Sequence, residues 1–340
     1  MKYRTFGKTG LRISELALGA MTFGEELAWG EGKEESRKVF DTFVEAGGNF
    51  IDTANVYTGG TSERYLGEFM KNCREKMVLA TKYAFSTDPR DPNASGSHRK
   101  NMVQAVEASL RRLRTDYVDI LWAHAYDRYT PMEEVMRSFD DLVRQGKVLY
   151  PGVSDAPAWI VAHANTLASL RGWSPFAGLQ IEYSLIQRTV ERDLIPMAEH
   201  FGLCVAAWSP LASGLLSGKY RSSGASAGRR RLDAVQFVQR DERNLRIADA
   251  VSEVAEGIGC TPSQVALSWV RQKAPSAIPI IGARTAEQLR ENLQCLDCAL
   301  TPEQMEQLEK VSAVQPGFPH DFLRRVHEGI KGNVDLEKMF

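Results

Sequence analysis

Eight short apolar, β-branched runs alternate with longer helical patterns from one end of the chain to the other. They fall at 15–19, 49–52, 77–81, 117–123, 148–153, 178–181, 203–207 and 277–281. Several are apolar on both faces, as strands of a parallel sheet covered on each side must be. Between them lie helical patterns at 34–45, 100–113, 131–145, 156–170 and 192–200. Eight strands, each followed by a helix, close more readily into a (β/α)8 barrel than they spread into an open doubly wound sheet. The expected fold is therefore an α/β TIM barrel forming one domain over residues 1–340.

Local signals refine this outline. Thr261-Pro262-Ser263-Gln264 and Thr301-Pro302-Glu303-Gln304 each offer an N-cap Thr, a Pro at the first helical position and a Gln at the third. Thr285-Ala286-Glu287-Gln288 is expected to be a third capping box. Ahead of the first run, segments 2–6 and 12–14 flank Gly7-Lys8-Thr9-Gly10, which reads as a hairpin closing the barrel floor. Residues 217–232 are rich in Gly, Ser and Arg, include Arg229-Arg230-Arg231, and are expected to form a surface loop; it reads either as a lid over a bound ligand or, the plainer reading for any single arginine, as a solvated loop.

Composition excludes several classes. A net charge of −1, with 25% charged and 43% hydrophobic residues, gives no long-range attraction to nucleic acid or an anionic membrane. No apolar run has the length of a membrane span, and the first residues lack a signal-peptide pattern. A reducing cytoplasm is the expected compartment. Of the five cysteines, only Cys295 and Cys298 are closely spaced. Without a second pair or nearby histidines they read as half-buried thiols and not as a metal site.

In a barrel of this kind, chemistry sits at the C-terminal ends of the strands. Those ends carry Asp52, Lys82, His124, Ser154-Asp155, Gln180, Trp208-Ser209 and Gly282. Tyr57 lies on the loop that leaves the same strand as Asp52. There is neither G-x-G-x-x-G after the first strand nor G-x-x-x-x-G-K-[ST], so no Rossmann or P-loop phosphate site is expected. Arg284 precedes the third capping box, so an anion beside it would meet both a guanidinium and a helix N-terminus.

These residues resemble the aldo-keto reductase superfamily. The carrying motifs are Gly47-Gly48-Asn49-Phe50-Ile51-Asp52-Thr53-Ala54 with Tyr57, Ala80-Thr81-Lys82, and Tyr117-Val118-Asp119-Ile120-Leu121-Trp122-Ala123-His124. Pro151-Gly152-Val153-Ser154, Trp208-Ser209-Pro210-Leu211, and Ile281-Gly282-Ala283-Arg284 with Gln288 and Asn292 complete the set. The branch looked most like is that of bacterial reductases and potassium-channel β-subunits.

The resemblance implies a tetrad of Asp52, Tyr57, Lys82 and His124 that reduces an aldehyde or ketone with NADPH, NADH serving more weakly. Carbonyl reduction builds negative charge on oxygen, which a proton donor must quench. A free Tyr gives up its proton reluctantly, and a nearby Lys cation eases the loss. The resemblance further implies that Ser154, Asp155 and Gln180 bind the nicotinamide carboxamide and that Trp208 stacks on the ring. Ser209, Pro210, Leu211, Gly214, Leu216 and Lys219 would follow the pyrophosphate, and Gly282, Arg284, Gln288 and Asn292 the remainder of the dinucleotide.

Many relatives carry Tyr at position 208 and Asn at 155, so Trp208 loses a hydroxyl and an ionised Asp155 only accepts. Trp29, Phe85, Tyr126 and Tyr129 are expected to wall a pocket for a hydrophobic small-molecule carbonyl, with Phe318 closing it. The expected form is a possible homo-oligomer with no nucleic-acid or membrane partner. The competing readings are an NADPH-sensing regulatory subunit with slow turnover and a metal-dependent hydrolase. The second is disfavoured because no H-x-H pair is present.

Overall fold

A hairpin of β1 (Tyr3–Thr5) and β2 (Arg12–Ser14), paired antiparallel with Tyr3 opposite Ser14, precedes the barrel. The eight expected runs become β3 (Ala17–Gly19), β4 (Phe50–Asp52), β5 (Val78–Tyr83), β6 (Val118–Ala123), β7 (Val148–Ser154), β8 (Gly178–Glu182), β9 (Cys204–Trp208) and β10 (Ala277–Ile281). Every neighbouring pair is parallel, and β10 pairs with both β9 and β3, so the ring is shut. The structure is a computed structural model and describes residues 1–27, 29–219 and 238–332. The arginines of the expected surface loop, Arg229 to Arg231, lie outside the described residues.

The helices that pack around the ring are α1 (Lys33–Glu45), α2 (Thr61–Phe69), α3 (Arg99–Leu113), α4 (Met132–Arg144), α5 (Ala158–Arg171) and α6 (Leu194–Phe201). They continue with α7 (Glu242–Ile258), α8 (Pro262–Lys273), α9 (Ala286–Leu293), α10 (Pro302–Val311) and α11 (His320–Lys331). Thr261 and Thr301 form complete capping boxes at α8 and α10. At α9 the box is incomplete. Thr285 accepts from the Gln288 N–H, but the Gln288 side chain accepts instead from the Arg284 N–H at 3.0 Å. None of the described helices is long and apolar enough to cross a membrane. The cysteines are all free, and Cys295 and Cys298 are buried outright, which pushes their thiols up to about 12 and about 11.

Period-two alternation divides the apolar side chains into two layers. One lies between strands and helices; the other fills the barrel and includes Phe50, Val78, Ala80, Ile120, Trp122, Cys204, Ala206, Ile278 and Ile280. Phe6, from the hairpin, joins the inner layer and is fully buried. Its ring meets Phe50 and Trp122 edge-on at 6.2 and 6.1 Å. The hairpin thus closes the floor as expected.

Trp122 fits inside only because its neighbours on the next two strands are glycines. A Cβ on Gly152 would stand 2.3 Å from Trp122 Cε3, and one on Gly178 would stand 2.4 Å from Phe6 Cζ. Gly152→Ala is expected to lower unfolding stability by about 1–3 kcal/mol through overpacking. Urea denaturation measures this, and adding Trp122→Phe should recover part of the loss. An unchanged midpoint for Gly152→Ala would refute this account of the inner layer.

Candidate active site

The same alternation builds the upper rim. Two residues beyond Phe50, Ala80, Trp122, Gly152, Gly178, Ala206 and Ile280 come Asp52, Lys82, His124, Ser154, Gln180, Trp208 and Gly282. The inward phase of six consecutive strands, β4 to β9, therefore delivers a functional side chain to one mouth, while Gly282 beyond β10 leaves bare backbone there. Lys82, Ser154 and Trp208 are still within their strands, so they are held by the ladder instead of lying in the loops beyond it. His124 continues the ladder by donating its N–H to Tyr83 O at 3.0 Å.

Lys82 is the hub. Its ammonium is buried, ion-paired to Asp52, and donates to Thr53 O at 3.0 Å and to the Tyr57 hydroxyl oxygen at 3.1 Å. These three bonds use all its donors. Burial works against the charge, yet Asp52 and the Tyr57 oxygen outweigh it and raise the Lys82 pKa above its ordinary value. Asp52 is fixed from its other side by Gln180, whose Nε2 donates to Asp52 Oδ1 at 2.8 Å. Gln180 thus spends its amide nitrogen on the tetrad, a use its expected cofactor role does not include.

Tyr57 stands half-buried at the head of a 3-10 turn, Tyr57–Gly60, in which Thr58, Gly59 and Gly60 have φ of 48°, 58° and 85°. This left-handed run is anchored by the Thr58 hydroxyl, which donates to Phe23 O at 2.6 Å and accepts from Ser62 N–H at 3.0 Å. The phenol ring meets His124 edge-on at 5.9 Å, and His124 lies 4.3 Å from the Phe85 ring. Burial, with the Lys82 charge, drives the His124 pKa down to about 2. The imidazole is therefore neutral, and its Nδ1 is buried with no hydrogen-bond partner among the described residues.

The two departures at 155 and 208 are joined to each other. Trp208 Nε1 donates to Asp155 Oδ1 at 3.1 Å, and the Ser154 hydroxyl donates to Asp155 Oδ2 at 3.1 Å. The indole N–H at 208 can only donate, where a phenol could also accept, and the carboxylate at 155 supplies the acceptor it requires. Burial pushes the Asp155 carboxyl up despite these two bonds. Glu182, which strand-end reading missed, occupies the inward position two beyond Gln180, opposite Trp208. Burial and the Asp155 charge push its carboxyl up to about 7. Its parity with Gln180 was the available signal.

A cavity of about 440 Å³ is lined by Asp52, Tyr57, Phe85, His124, Ser154, Asp155, Gln180 and Trp208. A groove of about 230 Å³ is lined by Trp29, Ser209, Pro210, Leu211, Gly214, Lys219, Arg284, Gln288 and Asn292. Thr22, Ser209, Ser213, Ile280 and Gly282 line both, so the two form one trench.

Several expected lining residues lie elsewhere. Leu216 is fully buried in the layer between strands and helices. Tyr126 packs on that layer and Tyr129 is 88% exposed, so neither walls the cavity. Trp29 lines the groove instead of the cavity. Phe318 is exposed in the tail, which His320 ties to Asp193 at 3.1 Å, and it does not close the site. Loop side chains have no periodicity to fix their direction, which is why these expectations failed. Among the described residues, no group of three or more His, Cys, Asp or Glu is arranged to hold a metal.

The chain is 41% identical to the aryl-alcohol dehydrogenase [NADP(+)] of Phanerodontia chrysosporium, over 92% of this chain and 86% of that protein. It is 39% identical to the norsolorinic acid reductase of Aspergillus flavus, over 92% and 81%. It is also 38% identical to a putative aryl-alcohol dehydrogenase of Saccharomyces cerevisiae, over 95% and 89%. All three are fungal and none is a potassium-channel β-subunit, so they give no support to the branch expected from sequence. The family model described as the Aldo/keto reductase family matches residues 15–313. With the trench and its Lys82-centred cluster at the mouth of an eight-stranded barrel, the chain belongs to the aldo/keto reductase family.

Proposed function

We propose that this protein reduces an aromatic aldehyde or ketone to the alcohol, reversibly, with NADPH as cofactor and Tyr57 as proton donor. The observation that carries this reading is the buried Lys82 ammonium, bonded at once to Asp52 and the Tyr57 hydroxyl. The cofactor part draws on the relative named for NADP(+). The aromatic part draws on relatives named for aryl alcohols and on the Phe85 and Trp208 rings that line the cavity.

The trench fits an extended dinucleotide. At Gly282, which lines both of its parts, a Cβ would meet only Gly19 O, at 3.9 Å. Bare backbone there leaves room for a ligand to lie across. Ser154, Asp155 and the Gln180 carbonyl oxygen would hold the carboxamide, Trp208 the ring, and Ser209, Pro210, Leu211, Gly214 and Lys219 the pyrophosphate. Gly282, Arg284, Gln288 and Asn292 would hold the far end. When bound, the nicotinamide supplies hydride to the carbonyl carbon.

The remaining chemistry belongs to this chain. Tyr57 gives its hydroxyl proton to the carbonyl oxygen as negative charge gathers there. Lys82, 3.1 Å from the phenolic oxygen, stabilises the charge left behind. Asp52 keeps the ammonium charged and aimed. Neutral His124 orients the carbonyl by hydrogen bonding and adds no second cation beside Lys82.

Steady-state NADPH oxidation against aryl aldehydes, aliphatic aldehydes, ketones and quinones tests the reading. Multiple turnovers with an aryl aldehyde are expected; a single slow turnover would favour the NADPH-sensing alternative. Replacing Arg284 by Ala is expected to raise the NADPH KM by roughly tenfold or more, the scale of a lost charge-assisted phosphate contact, and the NADH KM far less. Equal changes would remove Arg284 from the 2′-phosphate site.

A further inference from the structure

The donors assigned above to a 2′-phosphate already hold anions from this chain. Arg284 Nε and Nη2 both reach Glu31 Oε1 at 2.5 Å. Two residues further on, the Ala286 N–H at the start of α9 donates to Glu35 Oε1 at 3.3 Å. Glu31 is not a loose side chain that happened to fall there. Its N–H donates to Thr22 O at 2.8 Å, and its carbonyl accepts from Gly24 N–H at 2.9 Å, closing the turn that carries it. Thr22 and Trp29, from the same segment, line the groove. Glu35 comes from α1, which packs against α9. The early part of the chain therefore presents two carboxylates to the phosphate end of a groove built by its last strand and the helix that follows it, α9.

A dianionic phosphate approaching Arg284 must share the guanidinium with the Glu31 carboxylate or displace it. A ribose hydroxyl meets no such conflict, because a carboxylate accepts a hydrogen bond from it. We propose that Glu31 is a specificity-determining residue: it competes with the 2′-phosphate for Arg284 and thereby limits the preference for NADPH over NADH. This rests on the reading of the groove given above. Glu31 touches no reacting atom and acts through Arg284.

Calorimetric titration of the cofactor-free protein with 2′,5′-ADP and with 5′-AMP tests the proposal without turnover. Glu31→Gln is expected to tighten 2′,5′-ADP by roughly fivefold, the scale of one partly exposed ion pair, with 5′-AMP unchanged or weaker. Glu31→Asp, which draws the charge back, should fall between. In an Arg284→Ala background, Glu31→Gln should no longer tighten 2′,5′-ADP. Weaker or unchanged 2′,5′-ADP binding in Glu31→Gln overturns the proposal, as does a tightening that persists without Arg284. If Arg284→Ala alone leaves 2′,5′-ADP binding intact, the assignment of the phosphate site fails first. Selective loss in Arg284→Ala with an unresponsive Glu31→Gln removes the competition alone.

Discussion

Tyr57→Phe is expected to lower kcat for carbonyl reduction by about 10²- to 10⁴-fold, the range for loss of a positioned proton donor, while leaving cofactor binding nearly intact. The substitution removes one oxygen and keeps the ring that meets His124 edge-on at 5.9 Å. Lys82 loses one acceptor but keeps Asp52 and Thr53 O. Stopped-flow and steady-state NADPH oxidation give kcat, and quenching of tryptophan fluorescence gives the cofactor Kd. Activity at the level of the unchanged protein would refute Tyr57 as proton donor. The pH profile adds a second check. With its pKa near 2, His124 stays neutral across the working range, so no limb of the kcat profile should fall near 6.5 on its account. Its depressed pKa has a stability counterpart: the contribution is present above about 6.5 and is lost as pH falls toward the folded value.

Lys82→Met is expected to abolish detectable turnover and to lower stability by about 3–5 kcal/mol, because it strands a buried carboxylate. Among the described residues, the Asp52 carboxylate would keep the bond from Gln180 alone. The double variant Asp52→Asn/Lys82→Met should recover most of the stability and none of the activity, which separates the structural role of the pair from its chemical one. Urea midpoints and kcat measured on the same samples decide it. A stable but inactive Lys82→Met would show that Asp52 is better solvated than its burial implies. The sign of the pH effect follows from the raised Lys82 pKa. The stabilisation is fully present below about 10.5 and is lost only as pH rises through the still higher folded value.

Much of this was legible in the sequence because periodicity fixes direction within strands. Once the eight runs are read as inward-outward alternations, Asp52, Lys82, His124, Ser154, Gln180 and Trp208 fall on one row without any knowledge of loops. Glu182 belongs to the same parity and was readable on the same ground. What stayed hidden are contacts between groups far apart in the chain or carried on irregular backbone. Glu31 and Arg284 are separated by 253 positions, and nothing in either neighbourhood names the other. The Trp208–Asp155 bond turns two apparent departures into one matched pair, visible only in three dimensions. At α9, Thr285 and Gln288 satisfy the pattern of a capping box, but Gln288 reaches one residue too far back. A pattern of residue types specifies which bonds are available, not which are chosen.

The closed ring also has a history on the ribosome. Its seam joins Ala17 of β3 to Ile280 of β10, and its floor joins Lys8 N–H to Gly202 O at 2.9 Å. At translation rates of about 5–20 residues per second, β3 waits roughly 10–60 s for the strand that completes its pairing. During that interval a nascent sheet has an unpaired border where the finished barrel has none, the condition under which chains stick to one another. The strand left waiting is only three residues long, and so short a border offers little for another chain to pair with. The brevity of β3, unremarkable in the finished barrel, is protection during synthesis.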